Sequence, residues 1–157
     1  RHPIFRLWIS MDVKLMHRAS VQAVSFLTMR PKDDLFSPGA DAEVAYTLVS
    51  GSMAYRQYPD SSAVQSEQVT DVEAGQWLSE AALFVEWTHV GKAEATVACQ
   101  LLTVGAEALS RCLSLGLIMR DIAVQYCKEF HKRVISAVPP HSPYPTDLEI
   151  PFTDYCD

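Results

Sequence analysis

The spacing of apolar residues switches twice along this chain, and the switches divide it into elements. Pro3 opens a short helix, at a place in the first turn where its missing N–H costs nothing. Ser10 and Asp12 are candidate caps for a second helix running from Met11 to about Gln22. Met11, Leu15, Met16 and Ala19 fall on one side of it. From residue 23 the pattern becomes that of strands. Apolar or alternating runs are predicted as strands at 23–28, 35–36, 44–49, 52–58 and 67–73. One or two more follow within 94–104, with a break near Gln100. Pro, Gly and Ser punctuate these runs at 37–41, 50–51 and 59–66. At Gly105 the period returns to that of a helix. Ala106, Leu109, Cys112 and Leu113 form one apolar face, and Gly116 stops it. A longer helix then spans about 118–138, with Met119, Ile122, Ala123, Tyr126, Cys127, Phe130, Val134 and Ile135 as its stripe. Pro139-Pro140 ends it, and an extended, Pro-rich, acidic arm over 139–157 is expected.

Closely spaced short strands bracketed by helices predict an α+β, mainly β fold, a small barrel or jelly roll, which the resemblance given below narrows to a double-stranded β-helix (jelly-roll) barrel. It carries N-terminal helices, a short inserted helix and two C-terminal helices. The expected division is 1–22 for the N-terminal helices, 23–104 for the barrel and 105–138 for the C-terminal helices, with the arm beyond. No internal repeat is visible.

Composition narrows the function. The 157 residues are 48% hydrophobic and 20% charged, which describes one globular domain. The chain opens on Arg1, and we expect it to be a piece of a longer protein. No apolar run approaches the ~20 residues of a membrane span. Net charge is −6, and residues 41–94 hold nine acids against two bases. Nucleic acid calls for a basic face, so it is excluded as a partner. The four cysteines are scattered without a Cys-x-x-Cys pair, and only His89 among the histidines lies in the barrel region. A zinc or cupin-type centre has no ligand set there. Neither a phosphate-binding loop nor a Gly-x-Ser-x-Gly elbow occurs, so no enzymatic site is expected and no metal.

Three motifs carry a family resemblance. Phe36-Ser37-Pro38-Gly39 is a tight turn, and Tyr46-Thr47-Leu48-Val49-Ser50-Gly51 leads into a hairpin. Between residues 75 and 97, Gly75 and Trp77 precede a short apolar helix with a single acid, Glu80, followed by Ala82 and Leu83. A polar loop then leads to a strand, Ala95-Thr96-Val97. In this order the three motifs resemble the cyclic-nucleotide-binding domain family, whose phosphate cassette reads Gly-x-x-Phe-Gly-Glu-x-Ala-Leu, a loop, then Arg-x-Ala-Thr-Val. The similarity covers residues 1 to about 137 and is nearest to the domains attached to voltage-gated-type cation channels.

The resemblance implies a ligand site at Glu80, Ser79, Ala81, Ala82, Ala95 and Thr96. Glu80 matches the acid that accepts the ribose 2′-hydroxyl, or it keeps an inherited structural role. The helix over 118–138 matches the lid. The family's arginine falls on Ala93, which cannot pair with a phosphate. Its loss removes a charge-assisted contact worth roughly 1.5–3 kcal/mol. Ser79 stands where the family has a glycine, and Glu94 adds a like charge. Lys92 and Arg56 are candidate substitutes for the arginine, His89 a weaker one. Binding of cAMP or cGMP, the only candidate ligands, is therefore expected to be weak or absent. Some channel domains of this family fold a built-in mimic into the pocket. Tyr126 and Phe130 on the lid, with Trp87, are the candidates for that plug. The implied function is a regulatory domain at the cytoplasmic face of a channel-like parent, whose other domains or subunits would be its partners. The alternatives are a locked, ligand-independent interaction module and a regulatory domain of a soluble kinase-type protein.

Overall fold

The computed structural model describes residues 3–151. Two helices come first, α1 (Pro3–Met11) and α2 (Val13–Ala23). Asp12 separates them in an extended conformation, and its side chain accepts the Leu15 N–H at 2.9 Å, the N-cap its residue type favours. Ten short strands follow: β1 (Val24–Met29), β2 (Asp34–Phe36), β3 (Asp41–Ala42), β4 (Val44–Ser50), β5 (Met53–Gln57), β6 (Gln68–Val72), β7 (Trp77–Leu78), β8 (Trp87–Thr88), β9 (Gly91–Ala95) and β10 (Cys99–Gly105). A 3₁₀ turn, Glu80–Leu83, sits between β7 and β8. Helices α3 (Ala106–Leu113) and α4 (Leu117–Ser136) close the order. The α+β, mainly β jelly roll is the architecture the sequence announces.

The strands form two four-stranded sheets, β1-β10-β4-β7 and β2-β9-β5-β6, with β3-β8 as a small third pair. All the pairings are antiparallel. Their inner faces meet in one core of Met29, Phe36, Leu48, Met53, Tyr55, Val72, Leu78, Ala93, Ala95 and Leu101. A second core joins the helices to the barrel through Trp8, Leu15, Phe84, Leu109, Leu113, Met119 and Phe130. Gly51 makes the β4–β5 hairpin with φ +96, and a side chain there would strike the backbone of Ala98 and Cys99.

Several boundaries differ from the sequence pattern: Met11, expected to open the second helix, closes α1, and α2 runs one residue past Gln22. The gap between strands in the 91–105 region falls after Ala95, while near Gln100 β10 stays a strand and only shifts register against β4, between Gln100 and Leu101. Thr96 leaves the ladder because its N–H and its hydroxyl both bond the Ser52 carbonyl, at 3.1 and 2.8 Å. Of the expected Ala95-Thr96-Val97 strand, only Ala95 is strand. The expected cassette helix is the single 3₁₀ turn, preceded by two residues of strand. Along residues 139–151 the chain carries turns and bends and no strand. This part of the arm does not extend away. It returns to the barrel.

Candidate functional site

Strand alternation fixes what faces the barrel interior. In β9, Gly91, Ala93 and Ala95 are buried, while Lys92 and Glu94 lie on the other face. Ala93, the position matching the family's arginine, pairs across the sheet with Tyr55 of β5. The aromatic ring therefore occupies interior space at a point where the strand itself offers only a methyl group. Tyr55 also lies against Gly91, where any Cβ would collide with its ring and hydroxyl. Gly91 is required here for close approach, with no demand for an unusual φ.

Into this space comes Asp147, from the arm. Its side chain is fully buried. One carboxylate oxygen accepts the Trp87 indole N–H at 2.8 Å and the His89 Nδ1 at 2.8 Å. The other accepts the Tyr55 hydroxyl at 2.7 Å and the backbone N–H groups of Val90 and Gly91, each at 3.0 Å. A carboxylate only accepts, so His89 carries its proton on Nδ1. The main chain is held too: the Asp147 carbonyl accepts the Ser79 N–H at 2.6 Å. Five donors around one carboxylate make a full cradle, built from neutral dipoles and one imidazole.

Electrostatics follow from that geometry. Burial on its own would push the Asp147 carboxyl up. The hydrogen bonds from His89, Trp87 and Tyr55 outweigh it and hold the group below the ordinary aspartate value. Burial, reinforced by the neighbouring Asp147 charge, pushes the Tyr55 phenol far up, so it stays protonated and donating. His89 is fixed from behind by stacking on Phe36, with ring centroids 3.8 Å apart and planes 5° from parallel.

The arm's local structure presents the aspartate. Thr146 Oγ1 accepts the N–H groups of Leu148 and Glu149 at 3.2 and 3.0 Å, and the Thr146 N–H donates to the Glu149 carbonyl at 2.8 Å. This tight turn puts Asp147 at its tip. After the seated acid, Leu148 packs against the barrel core and Ile150 is buried in the helical core. Beside the cradle remains a cavity of about 710 Å³, lined by Gln57, Ser61, Trp87, Val90, Val134 and Thr146 among others.

The other sequence-predicted residues fall as follows. Ser79 is wholly buried with φ 58 and ψ 33, a left-handed conformation that favours the glycine it replaces. Among the described residues its hydroxyl finds no hydrogen-bond partner. Glu80 is half-buried at the head of the 3₁₀ turn, and Ala81 and Ala82 are core residues. Ala95 is buried in the barrel and Thr96 lies exposed in the turn after it. Lys92 and Arg56 do not stand in for the arginine. Lys92 bonds Asp34 and Glu94 at 2.9 and 3.1 Å on the outer face, and Arg56 bonds Glu67 at 3.0 Å. The period of the strands sends both away from the interior. Tyr126 and Phe130 are not the plug either. They pack on Phe84, at centroid distances of 4.8 and 4.9 Å, inside the helical core. Trp87 does reach the site, as a donor to the occupant and not as the occupant. The residues that sequence reasoning missed are Asp147, Tyr55 and Gly91. Among the described residues no group of His, Cys, Asp and Glu could hold a metal ion. No helix among them is long and apolar enough to cross a membrane.

Comparison with known proteins agrees on the fold. No protein-family model matches the chain, and no curated protein matches it by sequence. Solved structures do. The chain is similar to the N-terminal domain of a transcriptional regulator from Streptomyces coelicolor A3(2), at 21% identity and TM-score 0.62, over 85% of this chain and 90% of that one. It is similar to a cyclic nucleotide-binding-like protein from Brucella abortus, at 23% identity and TM-score 0.56, over 69% and 90%. It is also similar to the C-linker/CNBHD of zELK channels, crystallized in the presence of cAMP, at 16% identity and TM-score 0.61, over 82% and 64%. The chain has the fold of cyclic-nucleotide-binding domains.

Proposed function

We propose that this chain is a self-liganded regulatory domain: its own Asp147 takes the place of a cyclic nucleotide in the anion site. The observation that carries this reading is the five-donor cradle around the buried carboxylate. Its position supports it as well. The cradle adjoins Ala93, the position of the missing arginine, and Ser79 of the phosphate cassette bonds the same aspartate. A negative group already seated there repels a phosphate, and the lost arginine offers no compensating attraction.

As the parent we propose a cation-channel-like protein. The likeness to the zELK channel domain, over 82% of this chain, supports it. Regulation would run through α4. The arm leaves α4 at Ala137, which is buried, and Phe130 ties α4 into the core that contains Trp8 of α1. Release of Asp147 would loosen α4 and, through that core, the helices that open the chain. The transcriptional regulator among the neighbours favours a second reading, the same latch in a regulator with no channel.

Calorimetric titration tests the core of the proposal. The intact chain should give no saturable heat with cAMP or cGMP up to about 100 μM, and sub-micromolar affinity for either would overturn it.

A further inference from the structure

We infer that the cradle is a receptor for an aspartyl peptide segment, and that it takes such a segment in trans from another chain whenever its own arm is withdrawn. This rests on the reading that Asp147 is a ligand and not simply a core residue. The recognition has three parts, each visible in the cis complex. The acid is read by five donors, in an arrangement that satisfies both oxygens of a planar carboxylate. Its backbone carbonyl is read by the Ser79 N–H, so the cradle recognises a residue within a chain and not a free acid. Two apolar seats follow, one for the residue after the acid and one for the residue three beyond it, filled here by Leu148 and Ile150.

The partner is thus a segment of the form Asp-Leu-x-Ile in an exposed, non-helical stretch. Charge supports a carboxylate over a phosphate. The nearby cations on β5 and β9, Arg56 and Lys92, are each already paired with carboxylates on the outer face, so neither turns inward to balance a dianion. The tethered arm competes at an effective concentration of about a millimolar. A trans segment therefore binds only where the arm is released or the segment is itself held close by.

The test uses a fluorescein-labelled peptide of residues 143–151, its Asp147→Asn counterpart, and three forms of the protein: the intact chain, the chain with Asp147→Ala, and the chain ending at residue 138. Fluorescence anisotropy should show saturable binding of the peptide to both emptied forms. Affinity for the intact chain should be at least about tenfold lower, set by the tethered competitor. The Asn peptide should bind the emptied forms at least about tenfold more weakly, the loss of one charge-assisted contact. Equal binding of the Asp and Asn peptides would overturn the inference, as would cAMP displacing the peptide at sub-micromolar concentration. So would no binding to the Asp147→Ala chain while its thermal melt remains cooperative. Should both emptied forms unfold, ~10 mM unlabelled peptide added to the intact chain must speed amide exchange in its own residues 146–150, and unchanged exchange there overturns the inference. Fast exchange at the arm of the intact chain alone would instead sink the self-liganded reading itself, so the two failures are told apart.

Discussion

Tyr55 and Gly91 lie diagonally across neighbouring strands, two positions apart in register, and the Tyr55 ring fills the space that a side chain on Gly91 would need. The contact places the Tyr55 hydroxyl 2.7 Å from Asp147 and leaves the Gly91 N–H free to donate to the same oxygen. Gly91→Ala should therefore destabilise the chain by about 1–3 kcal/mol through overpacking, and undock the arm as the ring moves. Tyr55→Phe keeps the shape and removes one of the five donors. It should weaken docking by about 1–2 kcal/mol and leave the barrel intact. Thermal melts read the first effect and hydrogen exchange across residues 146–150 the second.

Acid should release the arm. The docked Asp147 carboxyl titrates below its ordinary value, so the docked state binds fewer protons than the free arm. Docking is then at full strength above the ordinary aspartate value and is lost as pH falls through it toward the docked value. The indole N–H resonance of Trp87, which depends on the carboxylate, should shift along this transition. Asp147→Asn should abolish the shift.

Ser79→Gly should stabilise the protein. The position is left-handed at φ 58, and its buried hydroxyl is without a partner among the described residues. Relief of both should outweigh the extra freedom of a glycine in the unfolded chain, for a net gain of about 1 kcal/mol. That corresponds to a melting temperature higher by about 2–4 °C. A lower melting temperature would mean that Ser79 makes a contact of its own.

Phe130→Ala should cost about 3–5 kcal/mol, because the ring is wholly buried between Phe84 and Tyr126. The loss should appear as a lower melting temperature and faster exchange in α4, while the N–H groups of Val90 and Gly91 remain protected below the transition. Loss of their protection in parallel would restore the lid aromatics to the role of plug.

The fold was legible because its turns and periods are local. Gly39, Gly51 and Gly75 all sit at positive φ, at the ends of motifs that can be recognised in order along the chain. The switch at Gly105 from period two to period 3.6 also marks a true boundary. The site was half legible. A missing arginine at Ala93 points to a built-in occupant, and the aromatic residues of the lid match one in the sequence more openly than the arm does. The signal in the arm is short: an acid between Thr146 and Leu148, with Ile150 beyond, inside a stretch dominated by proline and charge. Nothing local distinguishes Asp147 from a solvated acid, because its five partners lie 56 to 92 residues away in sequence. Lys92 and Arg56 were misplaced for a simpler reason. Their parity along the strand, counted from buried Ala93 and Tyr55, already puts them outside.

The most direct measurement is residue-resolved amide exchange at Ser79, Val90 and Gly91, whose N–H groups all donate to Asp147. In the intact chain these amides should exchange slowly. With Asp147→Ala they should exchange at least about tenfold faster while β4 and β10 are unchanged. Equal rates at all three in the two proteins would contradict the account, since they would mean that the carboxylate never occupies the site.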